Sequence, residues 1–157
     1  MSFRTAIARN NTALQPEYVR PPVGGRDAVF RFSVPVLRVR DVAATVAWYQ
    51  RHLGFVADAF PDHGAREFAI LERDGVQILV RRAADVQRKL DGHSGWDLYL
   101  WVDGLDFHRV QASLTLAGDI LRPLAPKGSS MAELEARDPD GYVLCIGGPV
   151  RGDVTLA

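Results

Sequence analysis

Apolar positions along this chain follow a strand-like pattern, then a helical one, then three more strand-like stretches, and the whole cycle occurs twice. Phe30 to Arg40 is rich in Val and Phe and predicts a strand. Asp41 then stands where a helix N-cap belongs, Val42, Val46, Tyr49 and Leu53 recur at helical spacing, and Gly54 sits at the C′ position. Phe55 to Phe60 restarts as a short strand and Pro61 to Gly64 is turn material. Glu67 to Glu72 and Val76 to Arg81 read as strands joined by the hairpin signal Arg73-Asp74-Gly75. In the second cycle, Trp96 to Val102 reads as a strand and Leu105 to Leu116 as a helix stopped by Gly118. Ile120-Leu121 starts a strand, Pro123 to Ser130 reads as a loop, and Met131 to Arg137 and Tyr142 to Ile146 are strands joined by Asp138-Pro139-Asp140-Gly141.

The repeat survives a test by offset. Adding 63 carries Val34 to Asp97, Val42 to Leu105 and Leu53 to Leu116; adding 66 carries Asp74-Gly75 to Asp140-Gly141 and Leu79 to Cys145. The chain therefore divides into an irregular N-terminal arm (1–28), a first βαβββ module (29–82), a linker (83–95), a second βαβββ module (96–148) and a C-terminal tail (149–157). The fold class is α+β, with helices outside a curved mixed sheet.

Composition narrows the function by exclusion. The chain has 157 residues, 47% of them hydrophobic and 24% charged, which suits a packed globular interior. Acidic and basic residues balance at 19 each, so no bulk attraction draws it to nucleic acid. One cysteine, Cys145, forbids an intramolecular disulfide, and no apolar run is long enough to span a membrane. A cytoplasmic location is the expectation. Val23-Gly24-Gly25 lacks the strand and remaining glycines of a phosphate-binding loop, and no serine sits in a nucleophile elbow, so no cofactor is expected.

The run Val36-Leu37-Arg38-Val39-Arg40-Asp41, then Trp48-Tyr49 and Leu53-Gly54-Phe55, with Arg137-Asp138-Pro139-Asp140-Gly141-Tyr142 at the end, resembles the vicinal-oxygen-chelate (VOC) superfamily. That superfamily includes glyoxalase I, bleomycin-resistance proteins and extradiol dioxygenases, and the resemblance covers about residues 32 to 148. It implies a cavity lined by both modules and, in metal-dependent members, ligands on the first and last strand of each module. Those positions match Val34, Leu79, Asp97 and Cys145. Two are aliphatic, whereas a divalent ion needs three or four converging donors, so no metal site is expected. His52, His63, His93 and His108 lack the spacing of the superfamily's ligands.

Strand alternation then names the residues that share a face with those positions: Val36 and Arg38, Gln77 and Leu79, Asp97, Tyr99 and Trp101, and Val143 and Cys145. Flat apolar surfaces with a few polar groups make a ligand site for an organic molecule. Val36, Arg38, Gln77, Leu79, Asp97, Tyr99, Trp101 and Cys145 are the expected contacts. Asp97 is also a candidate general base, since an acid in such a lining needs a donor or a proton. Arg38 is open to two readings, an ion pair with Asp97 or a hold on a ligand carboxylate. Glu133 and Glu135 alternate on one strand face and read as a solvent border or a subunit seam. The leading expectation is metal-free, resistance-type sequestration of an aromatic or cationic compound near the seam of a homodimer. The alternative is a glyoxalase- or dioxygenase-like lyase, isomerase or oxygenase using Asp97 or an unrecognised metal site.

Overall fold

The computed structural model describes residues 32–86, 95–102, 107–128 and 130–149. The predicted N-terminal arm, most of the linker and nearly all of the tail lie outside the described residues, as does His93.

Both modules form as expected, each as a four-stranded mixed sheet with one helix. The first contains β1 (Val36–Val39), α1 (Val42–Leu53), β2 (Val56–Phe60), β3 (Phe68–Arg73) and β4 (Val76–Arg82). The second contains β5 (Leu98–Trp101), α2 (Phe107–Ala117), β6 (Ile120–Lys127), β7 (Met131–Arg137) and β8 (Val143–Pro149). Strand orders are β1-β4-β3-β2 and β5-β8-β7-β6, with β1/β4 and β5/β8 parallel and the other pairs antiparallel. The parallel pairing follows from the helix that carries the chain back over the sheet.

Local chemistry sets most boundaries. The Asp41 carboxylate accepts from the backbone N–H of Ala43 and Ala44 at 2.9 and 3.1 Å, capping α1. Gly54 adopts φ 66°, and its N–H closes the last turn on the Gln50 carbonyl. The Arg73 side chain donates to the Leu53 carbonyl, another group left over at the helix end.

Three expectations need correction. Among the described residues the first strand starts only at Val36, after 32–35, because Pro35 has no N–H to offer; its carbonyl alone joins the ladder, accepting from Leu79 N at 3.0 Å. Of the expected loop, Pro123 to Lys127 is strand, while Gly128 and Ser130 are turn. The strand part belongs to β6, an edge strand whose pairing with β7 shifts register between Ile120 and Arg122 and again between Arg122 and Ala125. An edge strand with bulges accommodates proline. Finally, Leu116 does not match Leu53: Leu53 is buried and Leu116 is 91% exposed. Adding 65 instead maps buried Val42, Thr45 and Tyr49 onto buried Phe107, Val110 and Leu114. The offset of 63 holds for β5, where Val36 and Arg38 correspond to Tyr99 and Trp101, so two extra residues enter between β5 and α2.

One apolar core runs through both modules. It joins Leu37, Val39, Tyr49, Leu71, Ile78 and Val80 to Leu98, Val110, Leu114, Leu134, Leu144 and Ile146. Adjacent on α1, Trp48 and Tyr49 are both buried with ring centroids 5.0 Å apart, and both meet the second module, at Asp119 and Asp138. The Trp48 indole donates to Asp119 at 2.7 Å and His52 Nδ1 lies 2.7 Å from the Ser113 hydroxyl.

The Asp138-Pro139-Asp140-Gly141 turn fastens this seam. Asp138 Oδ1 accepts from the N–H groups of Asp140 and Tyr142, both at 2.9 Å, while Oδ2 receives the Tyr49 hydroxyl at 3.3 Å. Asp140 Oδ1 accepts from Arg40 N and Nε at 3.0 and 3.1 Å, and Oδ2 lies 2.9 Å from Thr45 Oγ1. Tyr142 adds a third link: its hydroxyl accepts from Arg38 N at 2.9 Å and donates to Arg38 O at 3.0 Å.

Candidate functional site

Burial along the strands follows the expected alternation. In β1, Leu37 and Val39 are buried while Val36 and Arg38 are exposed; in β5, Leu98 is buried while Tyr99 and Trp101 are exposed. The expected contacts thus lie on the sheet faces turned away from the shared core, in two sets. Val36 pairs with Leu79 and Gln77 follows along β4 in the first sheet. Tyr99 pairs with Cys145 and Trp101 with Gly147 in the second, with Asp97 just before β5.

The first set is sparse. Val36 is exposed and Leu79 is buried. Arg38 forms an ion pair with Asp85, both side chains being exposed. Screening by solvent makes this pair weak.

The second set is organised. The Trp96 indole N–H donates to Glu135 Oε1 at 3.0 Å, and Arg122 approaches the same oxygen at 3.1 Å. The Tyr99 hydroxyl donates to Glu133 Oε1 at 3.2 Å, and Lys127 Nζ lies 3.4 Å from Glu133 Oε2. Two rows of aromatic donor, carboxylate and cation therefore cross from β5 over β8 to β7 and β6. Trp96 and Tyr99 also touch, with ring centroids 5.4 Å apart. Burial, and then the hydrogen bond to Glu133, hold the Tyr99 hydroxyl above its ordinary pKa, so it remains a donor.

Tyr99 reaches Glu133 diagonally, although the residue level with it on β7 is Glu135, across Cys145. Gly147 opens that path: a Cβ there would lie 2.3 Å from the Tyr99 hydroxyl and 2.9 Å from Glu133 Cγ. Strand parity alone did not single out Trp96, Glu133, Glu135 and Gly147 as members of this arrangement. The alternation of Glu133 and Glu135 was the available signal, and their partners were not.

Asp97 finds the donor its setting demands. Its Oδ2 accepts from Val143 N at 2.9 Å while its own N–H donates to Val143 O at 2.8 Å, which joins the starts of β5 and β8. Cys145 is fully buried, and burial pushes its thiol up to about 12, far from a thiolate at neutral pH. The residues at the four metal-ligand positions therefore do not fit a metal. Val34 and Leu79 have no donor atom, Asp97 is engaged and Cys145 is a protonated core residue. Among the described residues no group of three or more His, Cys, Asp or Glu converges. Nor, among them, is any helix long and apolar enough to cross a membrane.

Comparison with known proteins agrees with this architecture. Similar solved structures include TioX from Micromonospora sp. ML1, at 26% identity and TM-score 0.59, covering 79% of this chain and 100% of that one. A glyoxylase/bleomycin resistance protein/dioxygenase domain from Frankia sp. EAN1pec shares 22% identity with TM-score 0.63, covering 80% and 96% of the two chains. The fosfomycin resistance protein FosX from Listeria monocytogenes shares the fold at 14% identity and TM-score 0.59, covering 78% and 96%. No curated protein sequence matches the chain. The sequence profile of the Glyoxalase/Bleomycin resistance protein/Dioxygenase superfamily matches residues 31–146, spanning both modules from before β1 into β8, and the chain belongs to that superfamily.

Proposed function

We propose that this protein binds a planar aromatic small molecule, without a metal, on the open face of its second sheet. The observation that carries this reading is the trio Trp96, Tyr99 and Trp101, all large aromatics left exposed on or beside one short strand. Two of them are held in place by hydrogen bonds to Glu135 and Glu133, so little side-chain freedom is lost when a ring stacks on them. Arg122 and Lys127 balance the two carboxylates, which favours an aromatic ligand over a strongly cationic one. The role is sequestration in the cytoplasm, of the kind that confers resistance, and not turnover: Asp97 has a structural donor and Cys145 is protonated. Val36 and Arg38 on the first sheet, with Gln77 and Leu79, complete the lining when a second copy brings its open face against this one, making a homodimer. Exposed Val36 and Trp101 supply apolar surface for that closure.

The test is tryptophan fluorescence during titration with a panel of planar aromatics, neutral and cationic, alongside sedimentation velocity. Saturable quenching lost at least tenfold in Trp101→Ala and Tyr99→Ala supports the proposal. Quenching unchanged in both variants, or conversion of the ligand by the metal-free protein, overturns it. A monomer that binds with full affinity removes the second copy from the reading.

A further inference from the structure

A cleft lies on the other side of β5, between the two modules. It has a volume of about 390 Å³ and is walled by Leu53 and Phe55 at the end of α1, Val76 of β4, Leu100 of β5, Val110 of α2 and Ile146 of β8. Leu100 has the opposite strand parity to Tyr99, and Ile146 the opposite parity to Cys145, so this cleft faces the helix side and not the open sheet face. Trp101 and Val102 complete the wall where β5 ends.

Among the described residues, the polar side chains in this lining are Arg73 and Asp74. They neutralise each other, Arg73 Nε lying 3.1 Å from Asp74 Oδ2, and Arg73 also donates to the Leu53 carbonyl. The mouth therefore presents no net charge to select an ion. The rest of the lining is apolar side chain, so the cleft favours an uncharged guest with mostly apolar surface. Its size matches a small-molecule pocket, which typically spans roughly 300–1,000 Å³.

We infer that the cleft between the modules is a separate binding site for a compact, uncharged, largely apolar molecule such as a single substituted aromatic ring. Such a guest replaces missing contacts along walls contributed by both modules. It needs neither metal nor charge partner, and of the three open-face aromatics Trp101 alone also borders this cleft.

The experiment is a titration of the full chain, ¹³C-labelled at methyl groups, with p-xylene and, separately, with 4-methylbenzoate, a charged molecule of similar shape. The expected result is saturable shifts at the Leu53, Leu100, Val110 and Ile146 methyls with p-xylene, and affinity at least tenfold weaker for 4-methylbenzoate. Val110→Phe fills the cleft and Val76→Trp covers its mouth; each lowers p-xylene affinity at least tenfold. Val76 is 40% exposed, so its replacement leaves the core intact and decides the matter if Val110→Phe does not fold. Non-saturating shifts, shifts centred on Val36, Leu79 and Val143, equal affinity for the carboxylate, or binding indifferent to Val76→Trp overturn the inference.

Discussion

Thr45 Oγ1 lies 2.9 Å from Asp140 Oδ2, a buried contact between residues 95 positions apart. The same carboxylate receives Arg40 N and Nε, so one turn of the second module gathers three donors from around the start of α1. Asp140→Ala leaves the Thr45 hydroxyl and Arg40 N–H without this acceptor. The expected loss is about 3 kcal/mol, since removing one partner of a buried charged network strands the other groups. Thr45→Val, which removes one hydroxyl and keeps the volume, costs about 1 kcal/mol. Urea denaturation of both variants checks the order, and equal losses would contradict it.

Asp138 gives the seam a pH dependence of its own. Burial raises its pKa to about 6, against the lowering effect of the Tyr142 and Asp140 N–H groups and the Tyr49 hydroxyl, with the nearby Asp140 charge raising it further. An unfolded aspartate titrates near ~3.9, so between these values folding takes up a proton. The contribution of this group to stability therefore grows as pH falls from about 7 toward 4 and is lost as pH rises through 6, by about 3 kcal/mol in all. Asp138→Asn keeps a carbonyl oxygen for the two N–H groups and can donate to Tyr49, imitating the protonated acid. Its urea midpoint is expected to equal or exceed the parent's at pH 7 and to lose this slope between pH 4 and 6. An unchanged slope would sink the assignment.

Two adjacent glycines answer differently to the same substitution. A Cβ at Gly147 meets the tip of the Tyr99 ring and Cγ of Glu133, which are side-chain and not backbone atoms. Gly147→Ala is expected to fold with a loss of about 1 kcal/mol while displacing Tyr99 from Glu133 and weakening aromatic binding several-fold. A Cβ at Gly148 would lie 1.8 Å from the Val102 carbonyl oxygen, which is backbone. Gly148→Ala must push the end of β5 away and is expected to cost more than 3 kcal/mol. Thermal melts beside fluorescence titrations separate the two effects; a Gly147 variant that melts as low as the Gly148 one refutes the distinction.

Asp41 isolates the capping energy of α1, because its side chain accepts from Ala43 and Ala44 alone among the contacts described. Asp41→Ala should lower stability by about 1 kcal/mol, and Asp41→Ser should recover most of it. Failure of serine to rescue would show that charge, and not the capping hydrogen bonds, carries the effect.

Local and periodic features of the fold were legible in the chain alone. Asp41 and Gly54 bound a helix, Asp74-Gly75 and Asp140-Gly141 turn strands, and alternation sorts Val36, Arg38, Tyr99 and Trp101 onto one kind of face. Each follows from backbone geometry within a few residues, which is why two copies of the module were visible from spacing alone. Tertiary structure decided what crosses from one element to another. It let β6 run through Pro123 and Pro126 because an edge strand needs fewer N–H donors. It set α2 two residues out of step with the first strand's offset, leaving Leu116 in solvent. It buried both Trp48 and Tyr49 because the second module lies against this part of α1, meeting one with Asp119 and the other with Asp138. It also turned Tyr99 toward Glu133 across the bare Gly147, and gave Asp97 the backbone donor of Val143. Spacing along a chain says which way a side chain points; only packing says what stands there to meet it.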